Sequence, residues 1–387
     1  MFRYLTAGES HGPALVGILD GLPANLHVDV GRINETLAAR QGGYGRGNRM
    51  QIERDEVEFL AGLRGSRTLG SPIAVALRNR DYANVRELMD PLSGHGEPLT
   101  NPRPGHADFA GAMKYRHRDL RDVLERASAR ETAMRVCLGA ICAQFMEALG
   151  MHTYSYVSRI GSVDAPEPES FSAEAVASSE VRCPDPAASR SMINAIDDAR
   201  SAGDTLGGQF TIAVQGVPAG IGSNRQPETR LDGILAGALM GMQTVKAVEV
   251  GLGAQSGERK GSDAHDTFSL EDGTVVRESN RAGGIEGGMS NGQTLILRVT
   301  VKPIPTLMKA LKSVNLHTGS DAKATIVRSD VCVVPAASIV GEAMVRLALT
   351  GPLLEKYGGD SMDETRDNFE RSRAAADQLF SAPRQRR

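Results

Sequence analysis

The chain has 387 residues, of which 41% are apolar and 24% are charged, and this balance excludes wholesale disorder and predicts a buried core. A net charge of −3 argues against non-specific binding to nucleic acid. The four cysteines form no CxxC pair and have no paired histidine spacing, so we expect no metal site. The N-terminal residues do not resemble a secretory leader, and no run of about 18 apolar residues occurs, so we expect a cytoplasmic protein that does not span a membrane.

Periodicity in the first 105 residues predicts short strands and one helix before a long loop. Strands are predicted at Phe2 to Thr6 and at Val16 to Leu19, and an amphipathic helix at Val30 to Arg40. Residues 79–105 are rich in Pro, Gly, Asn and Asp and predict a long irregular loop, which in a compact domain is often functional. Alternating apolar residues between the helix and this loop predict antiparallel strands at Met50, Ile52, Ile73, Val75 and Leu77.

The rest of the chain predicts long helices and further strands. Leu120 to Leu149 has continuous helical periodicity and a stop at Gly150, which predicts one long core helix. Residues beyond Asp363 form a polar segment that is compatible with a helix. The remaining predictions are strands at Tyr154 to Val163, Phe210 to Val214 and Leu295 to Val301, and helices at Ser191 to Ser201, Arg230 to Val245 and Ala336 to Glu355.

A short pattern occurs in both halves of the chain. Gly21-Leu22-Pro23-Ala24 follows one predicted strand and precedes a helix, and Gly216-Val217-Pro218-Ala219 does the same in the second half. The pattern is typical of an internal duplication, but ordinary turn chemistry could produce it as well.

Two histidines lie in glycine-flanked loops. Gly8-Glu9-Ser10-His11-Gly12 matches the GxSxG elbow of serine hydrolases, but that elbow needs a preceding interior strand and a following helix, whereas Pro13 and a strand follow here. His11 is therefore the better candidate in this motif, because imidazole exchanges protons near neutral pH. His106, at the exit of the long loop, is the second candidate, although a lone histidine is more often structural.

Arginines interleaved with glycine predict an anion-binding loop at residues 40–49. Guanidinium groups pair bidentately with carboxylate and phosphate, and glycine lets the backbone close around such a ligand. A solvated basic face and an RNA-binding loop are the alternatives. Further along, Arg126 and Arg130 are four residues apart and would share a helix face, either for an anion or for salt bridges with Glu125 and Glu131. Asp330 could cap a turn or accept a proton.

Together these motifs closely resemble the chorismate synthase family over residues 1–360. The resemblance implies an α+β fold, a three-layer β-α-β sandwich with antiparallel sheets around helices and an internal duplication, in one catalytic domain of residues 1–360, followed by a C-terminal segment of residues 361–387. The motifs that carry it are the GESHG loop, the loop from Arg40 to Gly47, Arg103-Pro104-Gly105-His106-Ala107-Asp108, the run from Glu125 to Thr132, Asp204 to Gly208, Asn280 to Gly284, Lys302-Pro303-Ile304 and Arg328-Ser329-Asp330.

The resemblance implies a lyase that completes the shikimate pathway, on the route to aromatic amino acids. It would convert 5-enolpyruvylshikimate 3-phosphate to chorismate and phosphate by a 1,4-anti elimination that uses reduced FMN without net redox change. By the family pattern, residues that contact FMN would be Arg126, Ala127, Ser128, Gln243, Thr244, Gly287, Lys302, Pro303, Ile304, Pro305, Thr306 and Arg328.

The resemblance also implies individual roles. His11 would protonate the leaving phosphate, His106 would protonate the flavin or hold it in its reduced anionic form, and Asp330 would help the flavin nitrogen accept hydrogen. NADPH would contact Arg40 and Arg46 if the enzyme reduces its own flavin, and an external flavin reductase is the alternative. A homotetramer is expected, with no nucleic-acid or membrane partner. The substrate would be held by Ser10, Arg46, Arg49 and Arg103.

Overall fold

The structure is a computed structural model that describes residues 1–47, 54–271, 274–326 and 330–379. It is a mixed α/β protein in which two antiparallel sheets pack against long helices. Its strands are β1 (Arg3–Ala7), β2 (Ala14–Asp20), β3 (Val57–Ala61), β4 (Leu63–Arg64), β5 (Arg67–Thr68), β6 (Ile73–Arg78), β7 (His152–Ile160), β8 (Val163–Asp164), β9 (Gly208–Gln215), β10 (Val245–Val250), β11 (Phe268–Glu271), β12 (Thr274–Arg277), β13 (Ile285–Glu286), β14 (Met289–Ser290), β15 (Leu295–Val301), β16 (Lys312–Asn315) and β17 (Ser320–Lys323).

The helices include two that are buried over most of their length. An α-helix that is apolar on all sides belongs in a core rather than at a surface, and both of these fit that description. The helices are α1 (Val30–Gln41), α2 (Tyr82–Met89), α3 (Asp108–Tyr115), α4 (Arg121–Ala127), α5 (Thr132–Glu147), α6 (Ala173–Ala177), α7 (Pro186–Ser201), α8 (Leu231–Met240), α9 (Gly261–Ala264), α10 (Val334–Tyr357) and α11 (Met362–Leu379), with α5 and α10 forming the core pair.

The two large sheets share one strand order. The first sheet has the order β1-β2-β6-β3, and the second has β10-β15-β9-β7-β8. The long strands in chain order are β1, β2, β3 and β6 in the first sheet and β7, β9, β10 and β15 in the second. In each sheet the first two of these strands pair, a helix follows the second, and the fourth lies between the second and the third. Apolar residues alternate along β15, with Leu295, Leu297, Val299 and Val301 buried, which is the period-2 pattern of a half-buried strand.

Helices α5 and α10 approach each other closely enough to require glycine. A Cβ added at Gly139 on α5 would lie 2.6 Å from the Cβ of Ala343 on α10. Helix α5 also packs on the first sheet, where a Cβ at Gly17 would meet Met134 at 2.5 Å. Helix α10 packs on the second sheet, where a Cβ at Gly341 would meet Phe210 at 2.6 Å. The core therefore joins both halves of the chain.

Helix α10 is the one described helix that is long and apolar enough to cross a membrane. Of its most apolar 18-residue window, 78% is buried inside the protein. Its apolar composition is therefore explained by its burial in the protein core.

Several sequence predictions are confirmed, and others are wrong. The strands predicted at Phe2, Val16, Ile73, Tyr154, Phe210 and Leu295 are present, and so is a helix beyond Asp363. The loop predicted at residues 79–105 contains α2, and the helix predicted to reach Val245 ends at Met240, because β10 begins at Val245. The strand predicted at Met50 and Ile52 lies outside the described residues.

The predicted single helix from Leu120 to Leu149 is interrupted. Helix α4 ends at Ala127, and Ser128 is extended, with φ −62° and ψ 141°. The hydroxyl of Ser128 accepts a hydrogen bond from the N–H of Arg130 at 3.3 Å, so it caps the turn that leads into α5. The apolar period continues across the break, which is why the sequence pattern did not reveal it.

Candidate active site

The loop between β1 and β2 presents His11 to a buried carboxylate. The N–H of His11 donates to Oε2 of Glu125 at 2.7 Å, and its ring Nδ1 donates to Oε1 of Glu125 at 2.8 Å. The N–H of Ser10 donates to the backbone oxygen of Glu125 at 2.9 Å. Because this loop joins two antiparallel strands, it is not the strand-to-helix elbow of a serine hydrolase.

Ser10 is buried and contacts the turn that interrupts the helical segment. Only 1% of its surface is exposed, and its Oγ lies 3.0 Å from Oγ of Ser128. From the end of α4, Arg126 donates to the backbone oxygens of Gly8 at 3.1 Å and Thr6 at 2.9 Å. Hydrogen bonds thus join the His11 loop both to the end of α4 and to the turn at Ser128.

Arg130 does not share a face with Arg126, contrary to the prediction, because the chain turns at Ser128. Its guanidinium is buried and pairs with Asp55 at 2.7 Å. It also donates to Oδ1 of Asn79 at 2.8 and 3.0 Å. The amide nitrogen of Asn79 in turn donates to the backbone oxygens of Glu9 at 3.2 Å and Gly12 at 2.7 Å. This buried network fixes the other side of the His11 loop.

Arg40 lies under the same turn. Only 4% of it is exposed, and it donates to Oγ1 of Thr132 and, at 2.7 Å, to the backbone oxygen of Ala129. Its Nη1 has no hydrogen-bond partner among the described residues. Burial, reinforced by the positive charge of Arg46, lowers the pKa of Arg40 to about 9. This cationic group therefore lies where an added negative charge would be stabilising.

Asp330 organises the arginine-glycine loop. It pairs with Nη1 of Arg46 at 2.6 Å and accepts from the N–H of Gly47 at 2.6 Å. The N–H of Val331 donates to the oxygen of Gly45, which adds a backbone contact between the two segments. The structure thus brings Asp330 together with Arg46. Arg49 and Arg328 lie outside the described residues.

His106 forms a second histidine–carboxylate pair. Its Nδ1 lies 2.5 Å from Oδ1 of Asp108, at the start of α3. Asp108 also pairs with Nε of Arg103 at 2.9 Å, and Nη1 of Arg103 donates to Thr306. Burial alone would raise the pKa of Asp108, but the hydrogen bonds from His106 and Arg103 outweigh it and hold that pKa below its usual range.

The segment from Lys302 to Thr306 connects His106 to residues 243 and 244. The N–H of Lys302 donates to the oxygen of Thr244 at 2.9 Å, and its Nζ donates to the oxygen of Gly105. Thr244 has a φ of 73°, an uncommon conformation for a β-branched residue and one often found at functional sites. The oxygen of Ile304 accepts from Thr205 at 2.8 Å, and Pro305 lies against Gly105.

Gln243 links this segment back to the helical turn. Its Nε2 donates to Oε1 of Glu131 at 2.9 Å, and Glu131 also pairs with Arg135. Its Oε1 is buried and has no hydrogen-bond partner among the described residues. Because Glu131 fixes which end of the amide is the donor, this unpaired atom is an acceptor.

Gly287 lies beside the start of α8, whereas the predicted cofactor residues Gln243 and Thr244 follow its end. The carbonyl of its neighbour Gly288 accepts from Leu231, at the start of α8, whereas Gln243 follows the end of α8. A ten-residue helix is about 15 Å long, so the two predicted contacts lie at opposite ends of it.

The sequence reasoning missed the carboxylates behind the histidines. The sequence pattern predicts Glu125 only as a salt-bridge partner of a neighbouring arginine. It includes Asp108 in a motif but predicts no contact for it. The signal available was the acidic residue within each motif, since a buried histidine commonly donates to a carboxylate. Asp55 and Asn79 lie in none of the recognised motifs, so this signal could not have identified them.

Comparisons with known proteins give one family. A profile of the chorismate synthase family matches residues 2–354. The chorismate synthase of Desulforudis audaxviator (strain MP104C) is 51% identical over 378 residues, covering 96% of this chain and 97% of that protein. That of Alkaliphilus metalliredigens (strain QYMF) is 50% identical over 374 residues, covering 95% and 98%. A crystal structure of chorismate synthase matches with a TM-score of 0.79 at 38% identity, covering 97% of this chain and 98% of that chain.

Proposed function

This chain belongs to the chorismate synthase family, lyases of the last step of the shikimate pathway, and we propose that it acts on 5-enolpyruvylshikimate 3-phosphate with reduced FMN. The reaction would break the carbon–oxygen bond at carbon 3 and a carbon–hydrogen bond at carbon 6, releasing phosphate and forming chorismate. Two observations support the proposal: two histidines are each bonded to a buried carboxylate, and the positive charges of Arg46 and Arg130 lie close enough to Arg40 to lower its pKa.

The residues of this cluster fit a flavin. The buried acceptor Oε1 of Gln243 has no partner in the described part of the chain, as expected of an oxygen that faces the N–H groups of a bound ring. When bound, reduced FMN would lend electron density to the departing phosphate and recover it with the hydrogen. In this proposal Arg126, Ala127 and Ser128, the pair Gln243 and Thr244, and residues 302–306 would hold it, and Arg328 and Gly287 would complete the set.

The arginines would hold the anionic substrate. A phosphate and carboxylates that leave water need paired guanidinium groups to offset their desolvation. Arg46 and Arg49 would contribute such groups, and Ser10 a hydroxyl. Arg103 already uses Nε and both terminal nitrogens on Asp108, His106 and Thr306, so it would add positive charge to the site while holding His106.

Protein groups would manage the protons. His11 would protonate the leaving phosphate, and His106 would hold a proton so as to favour the reduced anionic flavin. Asp330 would help the flavin nitrogen accept hydrogen. Its hydrogen bonds to Arg46 and to the N–H of Gly47 would orient its carboxylate for that task.

We propose that NADPH, where the enzyme uses it, contacts Arg46 rather than Arg40. Arg40 is almost fully buried and donates to Ala129 and Thr132, so a contact with NADPH would require the turn at residues 128–132 to open. An external flavin reductase is the alternative source of reduced flavin.

The same family membership supports proposals about architecture and assembly. We propose a three-layer arrangement with α5 and α10 between the sheets, and an internal duplication supported by the shared strand order. We also propose one catalytic domain over residues 1–360 and a cytoplasmic homotetramer. The exposed Leu5, Ile18 and Leu60 on strands of the first sheet offer an apolar surface for subunit contact.

The test is turnover of histidine variants under anaerobic conditions with photoreduced FMN. General acid–base groups contribute about 10²- to 10⁴-fold, so His11→Ala and His106→Ala should lose at least about 100-fold in kcat. His152→Ala is the matched control, because His152 is exposed at the start of β7. Full turnover by either site variant would remove that histidine from the proposal. Labelling of Ser10 by a fluorophosphonate would favour a hydrolase instead.

A further inference from the structure

Glu125 makes an unusual set of contacts with the loop that carries His11. Its Oε2 accepts from the backbone N–H of His11 at 2.7 Å and its Oε1 from the ring Nδ1 at 2.8 Å, and Oε2 also lies 3.1 Å from Nδ1. Its own backbone oxygen accepts from the N–H of Ser10. Within the described parts of the chain, all three hydrogen-bond contacts of this carboxylate are with His11. The carboxylate is 6% exposed, so water competes little for these bonds.

This geometry determines which ring nitrogen of His11 donates to Glu125 and which one is left for other partners. An ionised carboxylate only accepts hydrogen bonds, so Nδ1 must carry a hydrogen and Nε2 is left for other partners. The backbone bond prevents the carboxylate from following the ring if the ring rotates. Nε2 is directed away from Glu125, toward the side of Asp81, whose carboxylate lies 4.0 Å from it.

We propose that Glu125 is a positioning residue that fixes the tautomer and orientation of His11. The inference rests on the proposed function, in which His11 protonates the departing phosphate. In this step His11 would act as the imidazolium, with a hydrogen on each ring nitrogen. The hydrogen–Nε2 bond would break as a hydrogen–oxygen bond forms on the phosphate, and the neutral ring would keep its remaining hydrogen on Nδ1, bonded to Glu125. No other group gains or loses charge in this step.

The second histidine of the site has a comparable partner. His106 uses Nδ1 toward Asp108 at 2.5 Å, while its Nε2 lies 3.3 Å from Nη2 of Arg103. Asp108, however, also holds Arg103, so a substitution there would alter two groups at once. Glu125 is the cleaner case, because its carboxylate serves His11 alone among the described residues.

The decisive substitution is Glu125→Gln, which keeps the shape but not the charge. A glutamine has one acceptor and one donor group, so its NH₂ would donate to Nδ1 and move the ring hydrogen to Nε2. We expect kcat to fall at least about 10-fold with little change in KM, because loss of a carboxylate that sets a catalytic tautomer costs up to about 10⁴ in serine proteases. Glu58→Gln removes an exposed ion pair with Arg78 and is the matched control.

Two readouts separate positioning from a structural role. In the His11→Ala background, Glu125→Gln should change kcat by less than about 2-fold, because groups that act as one unit are non-additive. In ring-¹⁵N-histidine spectra, assigned with His11→Ala, the wild type should show the Nδ1–H tautomer of His11 and Glu125→Gln should lose it.

An equal loss of kcat in both backgrounds, or an unchanged tautomer in Glu125→Gln, would overturn the positioning role. Failure of the proposed function gives a different pattern. Full turnover by His11→Ala would remove His11 from the chemistry, and with it the catalytic consequence of Glu125, while the spectra would still show whether Glu125 sets the tautomer.

Discussion

The buried pair of Arg130 and Asp55 provides a sharp test of how the site is supported. Both side chains are almost fully buried, 2.7 Å apart, and Arg130 also holds Asn79. In Asp55→Asn the guanidinium would keep its charge but lose the carboxylate of Asp55, close to the buried cation of Arg40. Removing one partner of a buried ion pair costs about 3–5 kcal/mol, because the remaining charge is left uncompensated.

The expected change in melting temperature follows from the size of the chain. An unfolding entropy of about 2.1 cal/mol/K per residue gives about 0.8 kcal/mol/K for 387 residues. A loss of about 3–5 kcal/mol then lowers Tm by about 4–6 °C. The assay is thermal unfolding followed by circular dichroism at a fixed protein concentration and heating rate.

The control is Asp20→Asn, which removes the exposed pair of Arg3 and Asp20. A surface ion pair contributes less than about 1 kcal/mol, so Tm should move by about 1 °C or less. If Asp55→Asn changed Tm no more than Asp20→Asn does, the argument that the buried pair of Arg130 and Asp55 supports this site would be refuted.

Three further substitutions test the electrostatics and the packing. Because its hydrogen bonds lower the pKa of Asp108, its carboxylate stabilises the fold fully above its unfolded pKa of about 3.8, and this contribution is lost as pH falls through the lower folded value. Asp108→Asn should therefore lower Tm at pH 7 by more than at pH 3, and an equal shift at both would contradict the pairing. Gly139→Ala should destabilise by about 1–3 kcal/mol, since its Cβ would meet Ala343 at 2.6 Å. Gly237→Ala, with nothing within 4 Å of the added Cβ, should stabilise by up to about 1 kcal/mol, and urea unfolding that ranked the two the other way would contradict the packing.

The regular elements were largely predictable because local patterns determine them. Alternating apolar residues identified β6 and β15, and helical periodicity identified α1 and α10. The break at Ser128 was not predictable, because the apolar stripe continues on both sides and the break depends on hydrogen bonds with the His11 loop. The spacing of apolar residues along the sequence gives no information about hydrogen-bond partners that are distant in the sequence.

The candidate site was predictable only where its residues lie in recognisable motifs. His11 and His106 were found as histidines beside glycine, and the arginines as a basic cluster. Arg40 was expected at a ligand, yet it is buried under the turn, because Ala129 and Thr132 are brought to it by tertiary contacts. Asp55 and Asn79 are ordinary residues in sequence, and only the folded chain makes them partners of Arg130.

The most direct test of the central claim is anaerobic release of phosphate from 5-enolpyruvylshikimate 3-phosphate, measured with photoreduced FMN and with oxidised FMN. The account predicts stoichiometric formation of chorismate and phosphate with reduced flavin, no product with oxidised flavin, and no net oxidation of the flavin over many turnovers. Phosphate release that proceeds equally with oxidised flavin, or folded protein that binds reduced FMN and releases no phosphate, would contradict it.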